Sequence, residues 1–94
     1  MPTEMFDPAH PGEVLREWLA GMNITHVAKH IGVSRVSLSK ILNCRGGVSA
    51  EMSLRLSGAL GTGPSLWFDM QANYDFAQAK CKKLPKILKL PTAA

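Results

Sequence analysis

Two short apolar patterns separated by a glycine constrain this chain more than anything else in it. Ile24, Val27, Ala28 and Ile31 recur at i, i+3, i+4 and i+7, one face of a helix. Leu38, Ile41 and Leu42 repeat the pattern at i, i+3 and i+4. Gly32 lies where the first helix has to end, because glycine takes the left-handed conformation without a Cβ clash. Ser34, two residues on, can accept a hydrogen bond from the free amides that open the second helix. The stretch Thr25 to Leu42 therefore reads as a helix-turn-helix, a unit whose second helix commonly enters the DNA major groove.

Charge is distributed to match. Residues 1–24 carry Arg16 against Glu4, Asp7, Glu13 and Glu17. Residues 25–47 carry Lys29, Arg35, Lys40 and Arg45 with no acid. Residues 48–79 carry Arg55 against Glu51, Asp69 and Asp75, and residues 80–94 carry Lys80, Lys82, Lys83, Lys86 and Lys89 with no acid. Positive charge thus gathers on the helix-turn-helix and the tail, as a phosphate-binding surface requires. The 94 residues suffice for one domain with a modest core, and 46% hydrophobic content argues against disorder throughout. No apolar run is long enough to span a membrane, and no basic-then-apolar signal opens the chain, so a cytoplasmic protein is expected. Cys44 and Cys81 are expected to be free thiols.

Along the chain, residues 1–10 read as an N-terminal arm interrupted by Pro2 and Pro8. Pro11 suits the first position of helix one, whose apolar face is Val14, Leu15, Trp18, Leu19 and Met22. Asn23 is a candidate cap for helix two. Ser49 is the expected cap of helix four, with Met52, Leu56, Ala59 and Leu60 as its buried stripe. Pro64 is expected in the first turn of helix five. That helix has two apolar stripes: Trp67, Met70, Tyr74 and Ala77 on one side, and Phe68, Ala72, Phe76 and Ala79 on another. A small domain buries one stripe in its own core; the second is read as a homodimer contact, the alternative being that one stripe covers helix one. The compact domain is placed at residues 11–79. Residues 80–94 form a basic tail broken by Pro85 and Pro91, left open as disordered, lying on DNA, or docked on a partner.

With Leu38, Ile41 and Leu42 turned to the core, the outer face of helix three carries Val36, Lys40 and Asn43, flanked by Ser37 and Ser39. Arg35 stands at its N-terminus, where it can reach guanine O6 and N7 as a bidentate donor. Val36 can pack on a thymine methyl, and a serine can bond a base edge or a phosphate. Asn43 and Arg45 suit the phosphate backbone, which positions without specifying. Ser34 suits a phosphate through the free amides beside it, besides being a cap.

Enzymatic readings are weaker. His26 and His30 have the i, i+4 spacing of a metal-binding pair, but the intervening glutamate of a metalloprotease is missing and Lys29 opposes a cation. No nucleophile elbow or phosphate-cradling glycine loop occurs. No catalytic residue, metal or cofactor is expected.

Ile31-Gly32-Val33-Ser34-Arg35 followed by Leu38-Ser39-Lys40-Ile41-Leu42-Asn43 resembles the helix-turn-helix of phage Cro and cI repressors. The wider chain, about residues 9–79, is similar to the HigA-type antitoxins of that superfamily. The similarity rests on His10-Pro11-Gly12-Glu13-Val14-Leu15, on Val48-Ser49-Ala50-Glu51-Met52-Ser53-Leu54-Arg55-Leu56, and on Ala59-Leu60-Gly61-Thr62. Its most specific block is Trp67-Phe68-Asp69-Met70-Gln71-Ala72-Asn73-Tyr74-Asp75. The resemblance implies an all-α, five-helix, lambda-repressor-like DNA-binding domain, usually dimeric, that represses its own operon. It implies operator DNA as one partner and a HigB-like toxin, a ribosome-dependent mRNA endonuclease, as the other. Carried onto this chain, Arg35, Val36, Ser37 and Lys40 fall on base-facing positions, and Asn43 and Arg45 on backbone-contacting ones. A Cro/cI-type regulator without a toxin partner is the alternative. Two departures stand out: Ile24 replaces a polar phosphate-contacting residue, and Cys44 stands where glycine usually follows the asparagine. If that position needs a positive φ, either Cys44 is strained or the loop is rerouted through Gly46-Gly47.

Overall fold

The computed structural model describes residues 8–91. It holds five helices: α1 (Pro11–Trp18), α2 (Ile24–Ile31), α3 (Arg35–Leu42), α4 (Ala50–Leu60) and α5 (Leu66–Cys81), with no strand among the described residues. The expected arm falls mostly on residues outside the described ones. His10 does not behave as an arm residue. It is buried, caps α1 by accepting the Gly12 amide at Nδ1 (2.9 Å), and meets the Tyr74 ring edge-on at 4.8 Å.

Each expected cap of the motif forms. Asn23 accepts from the His26 amide, Ser34 from Ser37 and Ser49 from Met52. Gly32 ends α2 with φ of 80°, in the left-handed region where a Cβ would be strained. The core is built from Leu15 and Leu19 of the α1 end, Ala28 and Ile31 of α2, and Leu38, Ile41 and Leu42 of α3. Val48, Leu56 and Trp67 close it from the other side. Helix α3 rests on α1 and α2, while α5 covers α4 and α1.

Three expectations need correction. On α1, Trp18 and Met22 are exposed: the helix ends at Trp18, and the chain turns away through Gly21 (φ 84°) before Met22 can continue the face. On α4, Ala59 faces solvent, and the buried stripe is Ser53, Leu56 and Ser57, with Met52 and Leu60 at its edges. The serines are tolerated because both are paired. The Ser53 hydroxyl donates to the Pro64 carbonyl (2.8 Å) and accepts the Phe68 amide (3.1 Å), while that of Ser57 donates to the Leu54 carbonyl. Apolar periodicity cannot find a stripe made of satisfied serines. Thirdly, Pro64 lies in a turn before α5, which begins at Leu66 rather than at the proline.

The loop after α3 resolves the Cys44 alternatives in favour of strain. The Cys44 amide donates to the Ile41 carbonyl (3.0 Å) and the Arg45 amide to the Lys40 carbonyl (2.8 Å), the double bond pattern of a Schellman end. That motif requires a left-handed residue, and Cys44 supplies it with φ of 59°. Cys44→Gly should therefore raise stability slightly, by about 0.5 kcal/mol. The relief of a left-handed side chain (about 1 kcal/mol) exceeds the added freedom of the unfolded glycine by that margin. An unchanged or lower urea midpoint would show the strain to be negligible.

Candidate nucleic-acid interface

Helix α3 presents its outer face as the sequence pattern implies. Arg35, Val36, Ser37, Lys40, Asn43 and Arg45 are exposed, with Val36 at 65%, and Ser39 is half-buried beside them. Leu38, directly behind, is fully buried. Within the described residues, Arg35 and Lys40 form no side-chain hydrogen bond or ion pair, so their charges are free to meet a ligand. The Ser34 hydroxyl accepts the Ser37 amide (3.0 Å) and pairs with the Ser37 hydroxyl (2.9 Å). The Asn43 amide nitrogen donates to the Ser39 carbonyl (2.9 Å), which leaves its second N–H for another acceptor. Val36 is an exposed branched apolar side chain among cationic and hydroxyl groups. Such a face suits a groove lined by phosphates, base edges and thymine methyls.

Two arginines hold this face in place from outside the motif. Arg16 of α1 donates through Nη2 to the Leu42 carbonyl at the end of α3. Arg55 of α4 donates through Nη1 to the Ile31 carbonyl at the end of α2 (2.8 Å), and its other nitrogens grip Glu51. Each cation meets the carbonyl-rich, partially negative end of a motif helix. Neither was legible as a functional residue, because sequence charge alone does not distinguish a clamp from a phosphate ligand. The close fit of α1 is visible at Gly12, where an added Cβ would overlap the Ile41 carbonyl oxygen.

The most specific block of the resemblance is largely structural. Gln71, buried on α5, accepts the Val48 amide (3.1 Å) and donates to Asp75 (2.9 Å), tying the loop after α3 to α5. Trp67 is buried and donates through Nε1 to the Thr62 hydroxyl (3.0 Å). The other α5 stripe is exposed: Phe68 at 43%, Phe76 at 66%, with Ala72 and Ala79 between and beyond. His26 and His30 are exposed on α2, and the described residues contain no cluster of three or more metal-ligating side chains. No described helix is long and apolar enough to cross a membrane.

Comparison with known proteins agrees with this geometry. The Helix-turn-helix family model matches residues 14–67. Virulence-associated protein A′ of Dichelobacter nodosus is 37% identical over 97 aligned positions, which cover 98% of this chain and 84% of that protein. The antitoxin GraA superposes with a TM-score of 0.75 at 40% identity, over 81% of this chain and 85% of its own. The antitoxin HigA of Pseudomonas aeruginosa, solved with the higBA promoter, gives 0.73 at 33% identity over 77% and 82%. With an exposed cationic α3, an intact five-helix frame and relatives of this kind, the chain belongs to the Cro/cI-type helix-turn-helix family in its HigA antitoxin branch, and is a DNA-binding regulator rather than an enzyme.

Proposed function

We propose that two copies of this chain bind a palindromic operator in the promoter of their own operon, with α3 of each copy in a major groove. In the cytoplasm the same protein neutralises a HigB-like mRNA-endonuclease toxin. The observation that carries the DNA half is the outer face of α3, where Arg35 and Lys40, unpaired among the described residues, surround an exposed Val36. Arg35, Val36, Ser37 and Lys40 contact base edges in this reading, and Ser39 beside them meets a base edge or a phosphate. Ser34, Asn43 and Arg45 contact phosphates, and the exposed stripe of Phe68, Ala72, Phe76 and Ala79 joins the two copies. The P. aeruginosa HigA solved with its promoter supports the operator assignment by family likeness.

Binding to promoter fragments with half-sites one helical turn apart, about 34–36 Å or a multiple of it, tests the dimeric reading. A sharp optimum at such a spacing is expected. Equal affinity for an isolated half-site would overturn it. The toxin half is tested by co-expression with the product of the adjacent short reading frame. Restored growth supports it, whereas no rescue leaves a regulator without a toxin partner.

A further inference from the structure

Beyond Cys81 the backbone leaves α5 in an extended conformation, with Lys82 at φ −78° and ψ 143°. Every residue from Lys82 to Pro91 is exposed, including the large apolar side chains of Leu84, Ile87, Leu88 and Leu90. Four large apolar residues held in water by extended chain are costly unless something covers them. At the other end of α5 lies an apolar groove of about 190 Å³, lined by Ala50, Ser53, Leu54, Pro64, Ser65 and Phe68. Beside it on α5, Asp69 is exposed and accepts only the Ser65 hydroxyl (2.9 Å) among the described residues, while the tail is lysine-rich with no acid.

We infer that residues 82–91 form an arm that crosses to a second copy and fills this groove, each copy serving the other. The inference rests on the dimer reading given under Proposed function and adds what covers the tail. If two copies join through the Phe68–Phe76 stripe about a two-fold axis at Ala72, the α5 helices run either parallel or antiparallel. A parallel pair sets two lysine-rich tails side by side, like charge against like charge. An antiparallel pair brings each tail to the N-terminal end of the partner's α5, where Asp69 is exposed. The distances agree. At 1.5 Å per residue, Lys82 lies about 15 Å from the axis and Pro64 about 12 Å on the opposite side, so the partner's tail emerges at the groove. Phe68 belongs both to the stripe and to the groove lining, which makes the two surfaces continuous. Reciprocal exchange of this kind satisfies the self-complementarity of a two-fold interface.

The test uses full-length protein carrying Cys44→Ser and Cys81→Ser, prepared once with Leu54→Cys and once with a tail cysteine at Leu84→Cys, Ile87→Cys, Leu88→Cys or Leu90→Cys. Mixing the two preparations under mild oxidant should yield a covalent dimer containing one copy of each, at one or more tail positions. Neither preparation alone should do so. Lys86→Glu combined with Lys89→Glu should raise the dimer dissociation constant at least tenfold. A dimer by sedimentation that gives no mixed cross-link at any tail position would overturn the arm and leave the dimer standing. A monomer by sedimentation would overturn both. A cross-link inside a doubly substituted chain, at dilutions where only monomer exists, would mean that the tail folds onto its own groove and would also overturn the exchange.

Discussion

Gly12→Ala is expected to lower the thermal unfolding midpoint by roughly 15 °C, a loss of about 3 kcal/mol in a domain of this size. The added methyl group would overlap the Ile41 carbonyl oxygen and come within 3.0 Å of its carbonyl carbon. Both obstructing atoms are backbone, in the last turn of α3, where the Ile41 carbonyl is held by the Cys44 amide (3.0 Å). No side-chain rotation relieves the overlap, so α1 and α3 must separate. Separation carries further losses: Leu15 and Ile41 are buried between these helices, and the Arg16 bond to the Leu42 carbonyl spans them. With α3 as the reading helix proposed above, operator affinity should fall along with stability. Differential scanning calorimetry and operator titration on the same sample check both. A variant with an unchanged midpoint would mean that α1 does not seat α3 as described.

The second large effect separates reading from holding. Arg35→Ala should cost about 1–3 kcal/mol on the operator, a factor of roughly five to 150, while leaving affinity for random duplex nearly unchanged. Arg45→Ala should weaken both to a similar extent and reduce the slope of log affinity against log salt by about 0.9. The contrast follows from position. Arg35 is the first residue of α3, exposed and unpaired among the described residues, where its guanidinium can reach into a groove. Arg45 lies past the helix end in the turn held by the Lys40 carbonyl, where the proposed reading puts it on a phosphate. Titration of both variants against operator and scrambled DNA at several salt concentrations decides the matter. Equal losses on the two duplexes for Arg35→Ala would remove it from the base-reading set.

The elements of the motif were legible because their signals are local. Asn23, Ser34 and Ser49 are short side chains whose oxygens bond amides three residues on, and Gly32 ends α2 where a left-handed residue is required. The apolar spacing of Leu38, Ile41 and Leu42 likewise fixed which side of α3 faces outward. What escaped depends on partners distant in sequence. Ser53 is buried because the Pro64 carbonyl and the Phe68 amide are there to pair with it. Met22 is exposed because the chain turns at Gly21, although its spacing matches a buried face. The roles of Arg16 and Arg55 emerge only when carbonyls 26 and 24 positions away come within reach.

The two arginine clamps bear on how such a reader could be re-engineered. Both motif helices end on a carbonyl satisfied by a helix that is not part of the motif. An excised peptide covering residues 24–45 would lose both bonds together with Leu15, Leu56 and Trp67 behind it, and could not be an autonomous recognition unit. Swapping sequence preference between relatives is thus a matter of transplanting a handful of outward side chains onto α3. The guanidinium struts beneath should travel with the recipient frame, not with the graft.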